Sequence, residues 1–224
     1  ATGNATSWDP GADGEVYALA VSGNTVYAGG RFGNAGRAAR QNLAALEIGT
    51  GNAKSWTANA NLTVKALRFS GNALFVGGDF TSIGGVVRTN LAAIEPVSGN
   101  VLDWNPQVVR TNGVSSSSVN ALAEHGGTLY LGGVFNRAGG EPRNYIAAVS
   151  TTSGQATVWR ADADDAVYAL AVAGPTVFAA GRFNYLGGNY RPNLAAILPK
   201  GPPIVVRAPE SGEVEGGQQV RLQV

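Results

Sequence analysis

Apolar and polar positions alternate in short runs along most of this chain, and the same run recurs four times. It stands at 16–21, 64–69, 119–124 and 167–172, each time as Val-x-Ala-Leu or a near relative. Small residues fall on one face and larger ones on the other, the two-residue period of a strand. A tight turn follows in each copy, as in Ser22-Gly23-Asn24 and Ser70-Gly71-Asn72, where Gly and Asn supply the positive φ of a hairpin. The partner strand carries an aromatic at Tyr27, Phe75, Tyr130 and Phe178. A Gly-rich loop leads to a third strand, predicted at 42–48, 90–95, 145–149 and 193–198. A second turn, Thr50-Gly51-Asn52 or Ser98-Gly99-Asn100, opens a fourth strand that ends at a tryptophan. No window carries an apolar stripe of period 3.6, so no helix is predicted.

The tryptophans set the period. Trp8, Trp56 and Trp104 are 48 residues apart, and Trp159 follows after 55. The extra residues lie within 105–118 and read as a surface loop centred on 110–118. Four-stranded units at this period are the blades of a β-propeller, because one blade cannot bury both faces and each neighbour covers the next. A β-solenoid is the alternative, but its repeats are usually shorter. The fold class is therefore all-β, a propeller with four repeats present, either a closed four-bladed ring or part of a larger one.

Composition narrows the partners. Hydrophobic residues make up 44% and charged residues 14%, with a net charge of +1. There is no basic stripe of the kind that nucleic acid or an anionic membrane selects, and no apolar run long enough to predict a membrane-spanning helix. Cysteine is absent, so disulfides, thiolate metal sites and Cys nucleophiles are excluded. The 32 glycines are spread through the repeats, which assigns them to turns and close packing rather than to a linker. The chain starts at Ala1 and has no Met, which suggests a processed protein or a piece of one.

The stretch 77–93, G-G-D-F-T-S-I-G-G-V-V-R-T-N-L-A-A, followed by Ser98-Gly99 and then Trp104, resembles the delta-sixty repeat family. The resemblance covers about residues 1–198 and implies β-propeller repeats in an exported or surface-associated bacterial protein, with no assigned activity. Three departures are local: Gly36-Arg37 replaces a Gly pair, Ala180 replaces the first Gly, and Tyr145 stands where the other copies have Asn. At the start of the chain, Gly3-Asn4 matches Gly51-Asn52, so 5–8 could complete the last blade. A Pro/Gly linker at 199–203 precedes 204–224, which reads as the first strands of an immunoglobulin-like module and implies covalent neighbour domains.

Candidate chemistry is sparse. Arg40, Arg88, Arg143 and Arg191 recur in every copy, as do Asn42, Asn90 and Asn193 in three; with Trp8, Trp56, Trp104 and Trp159 they are read as structural. The Gly-rich loop is followed by a strand, whereas a phosphate-cradling loop needs a helix N-terminus. Function should sit where copies differ. Asp162, Asp164 and Asp165 offer alternating oxygen ligands of the kind Ca²⁺ takes, although a full calcium-loop pattern is absent. Asn184, Tyr185, Asn189 and Tyr190 set aromatics beside amides, a combination suited to carbohydrate. His125 is the only histidine, and no nucleophile is marked for it, so no catalytic residue is assigned. The favoured expectation is a non-catalytic extracellular scaffold or adhesion module, with a protein or glycan partner at the cell surface and no cofactor beyond calcium. A glycan-binding propeller is the alternative, and a polysaccharide-acting enzyme with converging carboxylates the third reading.

Overall fold

A computed structural model describes residues 3–111 and 117–198, all of them in strands, turns and loops. The first blade runs β1 (Glu15–Ser22), β2 (Thr25–Arg31), a short hairpin β3 (Asn34–Ala35) and β4 (Ala38–Ala39), then β5 (Leu43–Glu47). The second has β6 (Val64–Ser70), β7 (Ala73–Gly78), β8 (Ser82–Ile83), β9 (Val86–Val87) and β10 (Leu91–Ile94). The third has β11 (Ser118–His125), β12 (Thr128–Val134), β13 (Arg137–Ala138), β14 (Glu141–Pro142) and β15 (Ile146–Ser150). The fourth has β16 (Val167–Ala173), β17 (Thr176–Gly181), β18 (Tyr185–Leu186), β19 (Asn189–Tyr190) and β20 (Leu194–Ile197). The three longer strands of every blade form an antiparallel meander, ordered β1-β2-β5 in the first.

Two details depart from the four-strand expectation. The fourth strand is reduced to a single bridge: Leu46 to Ala53, Ile94 to Val101 and Val149 to Ala156. After that one pairing the chain must leave its sheet to seat the tryptophan between blades, so no longer ladder can form. The Gly-rich loop is also not irregular. It folds into the two-residue hairpins β3–β4, β8–β9, β13–β14 and β18–β19, whose central residues all have positive φ. Arg37 adopts that conformation in the first blade, with φ of 61°, where the other blades have glycine.

The blades stack through their first strands. β1 packs on β6, β6 on β11 and β11 on β16, which makes these strands the innermost of a propeller-like arc. Close approach depends on Gly29, Gly77 and Gly132. A Cβ there would lie 2.4 to 2.7 Å from Val64, Val119 or Val167 of the next blade. Each joint then closes over an aromatic pair: Tyr27 with Trp56, Phe75 with Trp104 and Tyr130 with Trp159, edge to face at 4.8 to 5.6 Å. The core is accordingly a row of clusters lying between sheets. Among the described residues, no comparable packing joins the first blade to the last.

Candidate functional site

The repeated polar side chains are occupied with holding each blade together. Arg40 donates through Nη1 to the Ala39 carbonyl and through Nη2 to Lys54 O, at 2.7 and 2.6 Å. Arg88 and Arg143 repeat this fork onto Leu102 O and Thr157 O. In these three blades the fork ties the short hairpin to the fourth segment, and Arg191 makes only the matching bond to Tyr190 O. Asn42 and Asn90 have φ near 62°, a left-handed conformation that Asn tolerates better than most residues. Their amides reach across joints: Asn42 Nδ2 donates to Ala60 O and Asn90 Nδ2 to Ser117 O, both at 2.8 Å. Tyr145 takes the same conformation without that amide, and its ring lies under the Arg110 guanidinium at 5.9 Å. Trp8 and Trp104 donate their indole N–H to Glu47 O and Ser150 O.

The three aspartates singled out for calcium have separate tasks. Asp164 Oδ1 accepts the backbone N–H groups of Asn184 and Tyr185, both at 2.9 Å. Asn61 does the same for Thr81 and Ser82, and Asp13 for Gly33 and Asn34. A neutral amide performs this brace in the second blade, so the position needs an acceptor oxygen and not a charge. In Asp13 these donors, the Asn34 N–H foremost, hold the carboxyl below its ordinary range. Asp162 accepts from Asn144 N–H and Arg160. Asp165 forms a two-pronged pair with Arg182 at 2.8 and 3.0 Å, and that guanidinium lowers its pKa. Among the described residues, no group of three metal-ligating side chains gathers.

The residues proposed for carbohydrate lie on the hairpin of the last blade. Tyr185 and Tyr190 face each other across β18–β19, ring centroids 5.4 Å apart, and are 52% and 60% exposed. Asn189 donates to Gly187 O within the turn, and Asn184 contributes its backbone N–H to the Asp164 brace. The two rings are therefore available, while the amides are partly committed. His125 closes β11 and is exposed.

The structure adds a set that sequence reading passed over. Every innermost strand carries a bulge at the residue between its Val and Ala: Tyr17, Lys65, Asn120 and Tyr168. A bulge re-aims one side chain, and here it does so once per blade. Lys65 Nζ donates to Asp79 at 2.7 Å and to Ser118 of the next blade at 3.1 Å. Asn120 Nδ2 continues the chain of contacts to Val167 O of the fourth blade. Tyr17 and Tyr168 stay half exposed at the two ends. The sequence did contain a signal. This position changes type in every copy but one, while its neighbours hold and a glycine (Gly30, Gly78, Gly133, Gly181) lies near it on the paired strand.

Comparison with known proteins fixes the architecture alone. No family model matches the chain, and no curated protein does. Among solved structures it is similar to the computationally designed Ika4 protein, at 17% identity over 84% of this chain and 93% of that one, with a TM-score of 0.54. It is also similar to the designed Ika8 protein and to BamB from Moraxella catarrhalis, each at 19% identity over 78% of this chain, with TM-scores of 0.47 and 0.46. The chain spans 46% of the length of each of those two. The fold is a β-propeller-like array of antiparallel blades. No helix of the described residues is long and apolar enough to cross a membrane.

Proposed function

We propose that this chain is a non-catalytic binding scaffold of a larger exported bacterial protein, and that it presents its bulge residues to a protein partner at the cell surface. One observation carries the reading. Side chains that repeat are consumed by internal bonds, whereas the position that varies sits on a backbone bulge that re-aims it: Tyr17 and Tyr168 stay half exposed there, and Lys65 and Asn120 bond to neighbouring blades between them. Tyrosine at both ends with a lysine–aspartate pair between them is a composition that suits a protein surface, where aromatic anchors dominate affinity. The delta-sixty resemblance supports the exported setting.

A second reading rests on the exposed Tyr185–Tyr190 pair, whose rings could stack on a sugar face. One experiment weighs both. The purified chain is applied to arrays of surface proteins and of polysaccharides, beside a Tyr17→Ala/Tyr168→Ala variant and a Tyr185→Ala/Tyr190→Ala variant. The scaffold reading expects protein binding that falls about tenfold or more in the first variant and persists in the second. Polysaccharide binding lost only in the second would replace it with the glycan reading. Cleavage of any arrayed polymer would overturn the non-catalytic assignment.

A further inference from the structure

The two ends of the arc expose the two halves of one joint. At each internal joint, one blade offers a cup formed by its aromatic, its third-strand Leu or Ile and a glycine. The next blade fills that cup with Val and Leu of its innermost strand, joined at the first and third joints by a further apolar residue, Phe69 or Val172. Tyr27, Leu43 and Gly29 receive Val64, Leu67 and Phe69 in this way. The fourth blade presents the same cup, as Phe178, Leu194 and Ala180, with Leu194 67% exposed. The first blade presents the same filler, as Val16, Leu19 and Val21, with Leu19 65% exposed.

A second, independent feature lies beside that cup. A cleft of about 450 Å³ is bordered by Trp159, Gly187, Arg191, Ile197 and Leu198. In the first and third blades the matching place holds the fourth segment. Gly36 and Gly139 lie against the Ala53 and Ala156 backbones, and Arg40 and Arg143 donate to Lys54 O and Thr157 O. At Gly187 an added Cβ would meet nothing nearer than Ala161, at 4.0 Å. The sequence that fits this place is Gly3-Asn4-Ala5-Thr6-Ser7-Trp8, which matches Gly51 to Trp56. Those residues lie at the far end of the arc, where residues 3–7 are exposed and Trp8 is bonded to Glu47.

We propose that a second copy of this chain docks head to tail on these faces. Blade one of one copy fills the cup of blade four of the other, and residues 5–6 of the incoming copy occupy the cleft, with the Thr6 carbonyl accepting from Arg191. The contact is heterologous, so it must close into a ring or grow without limit. Two copies carry twice the four blades of one, the upper end of the roughly four to eight that propellers use, so the ring closes at two. Ala180 makes this joint weaker than the internal ones, since its methyl stands where Gly29, Gly77 and Gly132 admit a valine. The inference stands apart from the binding-scaffold reading, because it uses neither the bulge residues nor the Tyr185 and Tyr190 rings.

Sedimentation of the 224-residue chain from about 1 to 100 μM tests it, this being the range in which such joints exchange. A reversible dimer is expected. Leu19→Glu and Leu194→Glu, both at exposed positions, should each weaken it about tenfold or more while the circular dichroism spectrum and melting profile of the monomer stay intact. Mixed in equal amounts, the two variants should recover a dimer, because one joint of the pair then joins two unaltered faces. Ala180→Gly should tighten the association. A monomer throughout the range overturns the proposal, as does a species larger than a dimer. A dimer sensitive to only one of the two glutamates would mean that one face pairs with itself, and this too overturns it.

Discussion

Leu43 and Leu194 occupy the same place in the repeat, at the head of Leu-Ala-Ala on the third strand, yet one is fully buried and the other two-thirds exposed. Leu67 and Leu19 repeat the contrast on the innermost strand, the first packed into a joint and the second open. Each pair shares its short motif, Asn-Leu-Ala-Ala or Val-x-Ala-Leu, and its place in the strand pairing. The difference is the presence of a next blade. In a stacked array, burial belongs to the joint and not to the blade, so identical residues have unequal energetic weight according to their neighbours.

The sharpest way to break that comparison is to truncate both leucines. Leu43→Ala removes a side chain with no solvent contact and should cost about 2–5 kcal/mol. Leu194→Ala should cost the monomer no more than about 0.5 kcal/mol, as an exposed surface substitution does. Chemical denaturation at sub-micromolar protein, below the association range, measures both, and equal losses would contradict the joint picture. Gly77→Ala probes the same joint from its backbone. Its new methyl would lie 2.7 Å from Val119, so the blades must part, at about 1–3 kcal/mol. Reintroducing room with Val119→Ala in the same chain should recover part of that loss, which the difference in melting temperature would show.

Smaller effects separate the blades from one another. Tyr145 holds a left-handed conformation that its equivalents reach as Asn, and such a conformation costs an ordinary side chain about 1–2 kcal/mol. Tyr145→Asn should therefore stabilise the third blade by about 1 kcal/mol, less whatever the Arg110 stacking contributes; a fall in melting temperature would show that the stacking dominates. The smallest effect is electrostatic. Arg182 holds the Asp165 carboxyl below its ordinary value of 3.8. Because the folded pKa is depressed, the stability from this pair is fully present above about pH 4 and is lost as the pH falls through the folded value. Arg182→Ala should return the Asp165 titration, followed by its carboxyl NMR signal, toward 3.8 and remove that acid dependence. An unmoved titration would show that the Ala166 N–H is the stronger influence.

Much of the fold was legible because its signals are local. The Val-x-Ala-Leu runs, the Gly and Asn turns and the spacing of Trp8, Trp56 and Trp104 are properties of a few adjacent residues, and they gave strands, hairpins and a blade period directly. The candidate site was legible only in part. Asp162, Asp164 and Asp165 are close in sequence, and what the sequence did not show is that each has its own backbone or guanidinium partner in space. The bulge at Tyr17, Lys65, Asn120 and Tyr168 was missed because it arises from pairing with a glycine on the next strand, and a two-residue alternation does not register it. The immunoglobulin-like reading of 204–224 falls outside the described residues.

By itself the sequence determined which faces of each strand are apolar, where the chain turns, and that four equivalent units follow one another. Those are consequences of side-chain size, backbone φ and local periodicity. Only the tertiary structure decided that the fourth strand shrinks to one bridge, that the innermost strands bulge, and that the apolar faces of the first and last blades meet no further blade among the described residues. The first two arise from strand pairing inside a blade, and the third from contacts between residues about one whole repeat apart.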